Sequence, residues 1–144
     1  PMALKYLKKI SKKIKNKKGA LLIIDYGYIE KKMKDTLMAI KKHQVGNVLD
    51  DIGNSDITYH LNFQILEKII KNLKLKCQGI TSQRKFLINL GIKERAEIIS
   101  RNLTFSKKAN IYYRLNRLIN EKKMGNLFKV MLITHNKINF KIGF

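Results

Sequence analysis

A chain of 144 residues with 44% hydrophobic side chains is one domain at most, long enough to bury a core and too apolar to be disordered. Its 31 lysines and arginines outnumber 10 aspartates and glutamates, and the formal net charge of +21 is typical of proteins that bind nucleic acid or another anionic surface. No apolar run approaches the roughly 20 residues of a membrane span, and the basic N-terminal segment lacks the continuous apolar stretch of a signal peptide.

The first elements predict an α/β architecture. Apolar residues at helical spacing predict an amphipathic helix that Gly19 ends. The apolar run at residues 21–25 does not alternate with polar residues, which predicts a strand that is buried on both faces and ends on Asp25. A helix followed by a buried strand is half of a βαβ unit and favours a parallel sheet. The helical repeat consists of Leu4, Leu7, Ile10 and Ile14.

A long connection with little periodicity is predicted between Ile29 and Asp56, because asparagine, aspartate and glycine recur along it. We expect one short helix within it, near residues 36–42. A long ordered connection in a compact domain is usually functional. Asn62 is then predicted to cap an amphipathic helix, and a short strand is expected over residues 74–80.

Three further helices and a second apolar strand are predicted in the remainder of the chain. The first helix is capped by Ser82 and ended by Gly91, the second covers about residues 93–101, and the third is capped by Ser106. The apolar run at residues 127–134 predicts the strand. The last ten residues are expected to form a tail or an edge strand.

The strand count predicts that residues 1–144 are a single, partial domain. Two buried strands cannot make a stable parallel sheet by themselves, so further strands are expected upstream of Pro1. The first residue is proline rather than methionine, which agrees with this expectation.

The composition of the positive charge weakens the case for a nucleic-acid partner. Five of the 31 positive residues are arginine and the other 26 are lysines spread along the chain. The planar guanidinium fork is the group that reads bases and clamps phosphates, whereas scattered ammonium groups contact phosphates without sequence preference. We therefore expect any nucleic-acid binding to be weak and non-specific.

The single cysteine argues against both a disulfide and a metal site. Cys77 has no second cysteine to pair with and no neighbouring cluster of histidines. A small, buried thiol is the favoured interpretation.

The most informative stretch is "GALLIIDYGY", residues 19–28, in which the apolar run meets a carboxylate. Ligands of open α/β sheets bind at the carboxyl ends of the strands, which is where Asp25 is predicted to lie. Gly27 permits close approach of the backbone, and Tyr26 and Tyr28 offer aromatic faces with polar tips. The alternative is that Asp25 only caps the next turn.

Five segments together resemble the MidA-like family of S-adenosylmethionine-dependent methyltransferases. They are, in order, "GALLIIDYGY", "DTLMAIKKH", "LDDIGNSDITYHLNF", "TSQRKFLINLGIKERA" and "MGNLFKVMLI". Their order and spacing match the family from about Leu4 to Phe144, nearly the whole chain. The resemblance implies an α/β fold that is the C-terminal portion of a Rossmann-like class I methyltransferase, with a helical insertion before the last, antiparallel strand.

The resemblance also implies an activity, a cofactor and a location. The family methylates proteins, and its mitochondrial members symmetrically dimethylate an arginine of a respiratory complex I subunit. The complete enzyme uses S-adenosylmethionine. The expected location is the bacterial cytoplasm, or the mitochondrial matrix in a eukaryote.

The chain departs from the family in four places. Ile52 stands where the family commonly has proline, Asn62 replaces an aspartate, and Arg84 replaces a glycine. No G-x-G pattern occurs in the chain, although the family's glycine-rich cofactor loop follows the first strand of the fold. The chain is therefore expected to lack the cofactor-binding part and to hold no cofactor on its own.

Methylation of a guanidinium requires that this cation be oriented towards the methyl donor. It also requires that the cation lose a proton, because arginine is always charged in water. A carboxylate can orient the guanidinium and an imidazole can accept a proton. Asp25 and His60 are therefore the candidate catalytic residues. The candidate substrate-binding residues are Tyr26, Tyr28, Asp56 and Gln83.

Each candidate has a simpler structural alternative. Asp25 and Asp56 only cap turns in that alternative, His60 is a satisfied histidine at a helix start, and Gln83 only begins a helix. His43 is expected to be a loop or packing residue.

Two other functions remain open at this point. One is a non-enzymatic basic module that contacts RNA or acidic lipid through its lysines. The other is a methyltransferase of the same fold that acts on RNA, because a fold does not determine its substrate.

Overall fold

Two sheets and five α-helices form the computed structural model, which describes residues 2–42, 44–140 and 142–144. The helices are α1 (Met2–Lys17), α2 (Phe63–Asn72), α3 (Gln83–Asn89), α4 (Ile92–Ser100) and α5 (Phe105–Ile119), followed by a π-helical turn at Glu121–Gly125. The strands are β1 (Ala20–Tyr28), β2 (Met38–Lys41), β3 (Gln44–Gly46), β4 (Asp56–Thr58), β5 (Leu61–Asn62), β6 (Lys76–Ser82) and β7 (Phe128–Thr134). No described helix is long and apolar enough to cross a membrane.

The main sheet has the strand order β5-β1-β7-β6. Strand β7 is antiparallel to both of its neighbours, so β1 and β6 run in the same direction and their carboxyl ends lie at one edge. Strand β5 is parallel to β1 and pairs with its last two residues. The predicted fold class is confirmed, including the antiparallel last strand and the helical insertion α3–α5 that precedes it.

One face of this sheet carries the core. Helices α1 and α2 cover it because each presents an apolar stripe at helical spacing. Each fully buried aliphatic or aromatic side chain contributes about 1.5–3 kcal/mol. The buried members of this core are Ile14, Phe63, Leu66, Ile70, Leu75, Met131 and Ile133.

The opposite face of β1 is open, which corrects the prediction of a strand buried on both faces. Leu22 is 44% exposed and Ile24 is 48% exposed, whereas Val130, opposite Ile24 on β7, is fully buried. Within the described residues, β1 also has no hydrogen-bonded neighbour along its second edge between Ala20 and Tyr26. The apolar run therefore meets solvent on one face and at one edge of the same strand.

The prediction of a short helix near residues 36–42 is wrong. Residues 38–41 form β2, the central strand of a second, antiparallel sheet of order β3-β2-β4. Ala39 is 3% exposed, and its neighbours Met38 and Ile40 are more accessible. Pairing with strands on both sides outweighs the weak local preference for a helix.

The predicted caps are confirmed at α2 and α3 but not at α5. The Asn62 side chain accepts hydrogen bonds from the N–H groups of Gln64 and Ile65, and Ser82 accepts one from Lys85. Helix α5 begins at Phe105 with Thr104 as its N-cap, so Ser106 lies inside the first turn. The predicted strand at residues 74–80 is shifted by two residues, to β6.

The chain end is a tail, one of the two alternatives. No residue among 135–140 and 142–144 is in a strand. Gln78 donates a hydrogen bond to Thr134 Oγ1 at 2.8 Å and another to the carbonyl of Ile138. The rings of Phe144 and Phe86 lie 5.2 Å apart between centroids, which fixes the tail against α3.

Gly27 marks the closest approach between β1 and β5. A Cβ atom at this position would lie 2.4 Å from the carbonyl oxygen of Leu61 and 2.5 Å from Phe63 Cε2. Because a backbone atom cannot give way, we expect Gly27→Ala to lower the free energy of unfolding by about 1–3 kcal/mol. Urea unfolding measures this loss. Gly46→Ala is the control, since a Cβ there meets nothing within 4 Å, and an equal effect at both sites would contradict the packing argument.

Candidate functional site

Asp25 lies near the carboxyl edge of the main sheet, but the strand does not end on it. Strand β1 continues to Tyr28, and Asp25 faces Lys129 across the antiparallel pair. Asp25 Oδ1 accepts a hydrogen bond from the N–H of Tyr26 at 2.8 Å. The exposed carboxylate lines a cleft of about 180 Å³. The other lining residues are Ile57, Thr58, Tyr59 and Leu61.

Tyr26 and His60 meet beside this cleft. Their ring planes are within 8° of parallel, and the centroids are 6.1 Å apart. Phe128, which faces Tyr26 across the strand pair, contributes a third ring with its centroid 4.3 Å from that of Tyr26. The backbone N–H of His60 donates a hydrogen bond to Thr36 Oγ1 at 3.0 Å, which holds this residue in place. These rings form an aromatic cluster at the carboxyl edge, and Tyr26 is 39% exposed there.

Tyr28 is bonded into the loop that follows β1. Its hydroxyl oxygen accepts a hydrogen bond from the N–H of Lys34 at 2.9 Å, and the ammonium of Lys34 lies 5.4 Å from the ring centroid. The Asn62 amide donates to the carbonyls of Glu30 and Lys32 in the same loop. The same side chain therefore caps α2 and holds the loop beside the site.

Two predicted site residues do not line the Asp25 cleft. Asp56 begins β4 opposite Ile40 and is not among the residues that line the Asp25 cleft. Gln83 is 7% exposed, and its amide donates to the carbonyl of Leu118 at 2.9 Å, which ties α3 to α5. The position of His43 lies outside the described residues.

Lys129 supplies a cationic group that the sequence did not single out. Residues opposite each other in an antiparallel pair share a face of the sheet, so Lys129 lies on the same face as Asp25 and Ser82. Partial burial lowers the pKa of its ammonium, which donates a hydrogen bond to the carbonyl of Asn126. Phe128 and Lys129 could be found only from the strand register, because 102 residues separate Tyr26 from Phe128.

Cys77 lies apart from these groups and is half-buried, and burial raises the pKa of its thiol. Its sulfur donates to the carbonyl of Gly79 at 3.7 Å. In residues 2–42, 44–140 and 142–144, no three histidine, cysteine, aspartate or glutamate side chains are grouped closely enough to hold a metal ion.

The antiparallel strand β7 between the parallel strands β1 and β6 is consistent with the sheet of a Rossmann-like methyltransferase domain. Residues 1–81 match the family model described as "Putative S-adenosyl-L-methionine-dependent methyltransferase". The chain belongs to this family, which confirms the MidA-like resemblance, and the family's cofactor is S-adenosylmethionine.

Named relatives and solved structures agree with this assignment. The chain is 34% identical over 123 residues to "Protein arginine methyltransferase NDUFAF7, mitochondrial" of Danio rerio, covering 85% of this chain and 29% of the relative. The Xenopus laevis protein of the same name is 30% identical over 96% of this chain and 32% of its own length. A Burkholderia thailandensis protein whose crystal structure holds S-adenosyl-homocysteine superposes with a TM-score of 0.81 at 25% identity, covering 99% of this chain and 38% of that chain.

The chain thus spans about a third of the length of these proteins. The residues around Asp25 do not by themselves fit the cofactor. The cleft beside Asp25, at about 180 Å³, is smaller than the roughly 300 Å³ at which ligand pockets begin. No G-x-G pattern provides a backbone cradle in these 144 residues.

Proposed function

We propose that this chain is the substrate-side part of a protein-arginine methyltransferase whose substrate is a subunit of respiratory complex I. The observation that carries the proposal is the family match over residues 1–81, because this segment contains the carboxylate, the imidazole and both tyrosines of the candidate site. The relatives' names, protein arginine methyltransferase, support arginine as the target. The word mitochondrial in the same names supports a mitochondrial location in a eukaryote, for which we propose the matrix, with the cytoplasm as its bacterial equivalent.

The residues of the site suit a guanidinium substrate. The Asp25 carboxylate accepts two N–H donors of a guanidinium and fixes its plane, since its second oxygen is not engaged by Tyr26. The partly exposed ring of Tyr26, which packs on Phe128, attracts the delocalised cation. His60 is next to Tyr26 and takes up the proton that the substrate nitrogen loses.

We further propose that residues outside these 144 complete the sheet and hold the cofactor. The open face of β1 at Leu22 and Ile24 supports this, together with its unpaired edge. An apolar strand with an unpaired edge is a template for a further strand. In this arrangement the residues outside these 144 supply the glycine-rich loop that holds the cofactor. The present chain supplies the residues that bind the substrate.

We expect the 144-residue chain alone to show no measurable affinity for S-adenosylmethionine, because it has no glycine-rich loop and the cleft beside Asp25, at about 180 Å³, is too small to hold the cofactor. Isothermal titration calorimetry measures this directly. A dissociation constant of about 1 μM, which corresponds to about −8 kcal/mol, would show that these residues form a cofactor site by themselves.

The proposed activity is tested with the complete enzyme, radiolabelled S-adenosylmethionine and purified complex I. Label on an arginine of a complex I subunit, located by mass spectrometry, is the expected result. Label on RNA in place of protein would favour an RNA methyltransferase of the same fold. Absence of transfer to either, with RNA or acidic lipid still bound, would favour a non-enzymatic basic module.

A further inference from the structure

The helical insertion α3–α5 differs from the rest of the chain in its cationic residues. All five arginines lie between residues 84 and 117, whereas the 26 lysines are spread over the whole chain. Arg84 has a structural role, since it donates to the carbonyl of Ile119 at 2.8 Å and pairs with Glu121 at 3.3 Å. A composition bias towards lysine does not explain why the arginines are confined to one structural unit.

Two of these arginines line a groove along α5. Arg114 and Arg117 are three residues apart, so they share one face of the helix, and both are exposed. The groove has a volume of about 590 Å³, and Leu118 and Met124 add apolar side chains to its lining. Its lining residues are Asn110, Tyr113, Arg114, Arg117, Leu118 and Met124.

Among the residues that the structure describes, no carboxylate lines this groove. Helix α5 contains neither aspartate nor glutamate, and no carboxylate of the described residues forms an ion pair with Arg114 or Arg117. Tyr113 is 67% exposed, and the ammonium of Lys123 lies 5.6 Å from its ring centroid. Two guanidinium forks beside an aromatic face are suited to carboxylates carried on a peptide.

The groove is close to the candidate site along the chain. Met124 lines the groove and lies four residues before Phe128, so the Cα atoms of Met124 and Phe128 are at most about 14 Å apart. The ring of Phe128 packs on Tyr26 of the candidate site. An extended peptide of about five residues therefore spans the distance from Phe128 to the Met124 end of the groove.

We propose that this groove binds an acidic segment of the protein substrate, next to the arginine that is methylated. The inference rests on the proposed function. A target arginine is itself a cation, and a chain of net charge +21 repels it. Carboxylates beside the target, held by Arg114 and Arg117, offset that repulsion and orient the peptide towards Asp25.

The test is fluorescence anisotropy with the full chain and two labelled peptides, one with a central arginine flanked by three glutamates on each side and one with glutamines in their place. We expect the glutamate peptide to bind about tenfold more tightly at about 0.15 M salt. The double variant Arg114→Gln/Arg117→Gln should remove this preference. Arg95→Gln/Arg101→Gln is the matched control, because it deletes the same charge from two exposed arginines, one in α4 and one directly after it, and should weaken binding less than about threefold.

Three results would overturn the proposal: no preference for the glutamate peptide, equal losses in both double variants, or single-stranded RNA that displaces the peptide and depends on the same two arginines. Thermal unfolding of each variant verifies that the fold is intact. The measurement involves neither the cofactor nor methyl transfer, so its failure leaves the proposed activity untouched, and loss of that activity leaves the binding result valid.

Discussion

Asp25→Asn in the complete enzyme is expected to lower the rate of methyl transfer by about 10- to 150-fold, with little change in Tm. The charge-assisted bond between the carboxylate and a guanidinium is worth about 1.5–3 kcal/mol, and its loss in the transition state gives this range. Asparagine retains the Oδ1 acceptor that bonds to the Tyr26 N–H, so the local fold is conserved. The measurements are kcat/KM for the protein substrate and thermal unfolding of the same sample.

Asp50→Asn is the control for this prediction. Asp50 is also exposed, but it lies in the connection between β3 and β4 and is not among the residues that line the Asp25 cleft. We expect the activity of the Asp50→Asn enzyme to equal that of the unmodified enzyme. Unchanged turnover in Asp25→Asn, combined with a lower Tm, would assign Asp25 a structural role within β1 and no part in catalysis.

Phe63→Ala is expected to produce the largest loss of stability, about 3–5 kcal/mol. Phe63 begins α2, is fully buried and belongs to the core cluster between α2 and the main sheet. Its ring lies against the space that Gly27 leaves free. Removing the ring opens a cavity directly below the strand that carries Asp25, so part of the effect reaches the site.

Urea unfolding of the chain measures this loss, with Phe105→Ala as the matched control. Phe105 is also the first residue of its helix, but it is 88% exposed, so its replacement should change stability by less than about 0.5 kcal/mol. Similar effects of the two substitutions would refute the core position of Phe63.

Elements whose signals lie within short windows were predictable from the sequence. The apolar spacing from Leu4 to Ile14 predicts α1, and Asn62 and Ser82 predict the starts of α2 and α3. The prediction is wrong for residues 36–42 and for the cap at Ser106. At residues 36–42, pairing with two partner strands decides the conformation. At α5, threonine is also a good N-cap, and the helix begins directly after Thr104 instead of after Ser106.

In the candidate site, too, only the features that depend on a local pattern were predictable from the sequence. The sequence indicates a carboxylate near the end of an apolar strand, since a run such as residues 21–24 followed by Asp25 is a local pattern. It does not indicate that Gln83 is committed to the carbonyl of Leu118, because that bond joins residues 35 apart. The roles proposed for Asp25, Tyr26, Tyr28, Asp56, His60 and Gln83 stay predictions.

The sequence by itself determined the helices with apolar stripes, the two apolar strands and the carboxylate near the end of the first of them. Each of these depends on side chains a few residues apart along one helix or strand. Only the tertiary structure decided that Phe128 and Lys129 lie beside Tyr26 and Asp25, and that one face of β1 is open. Strand register and sheet order arise from contacts between residues far apart in the chain, and these contacts leave no local pattern in the sequence.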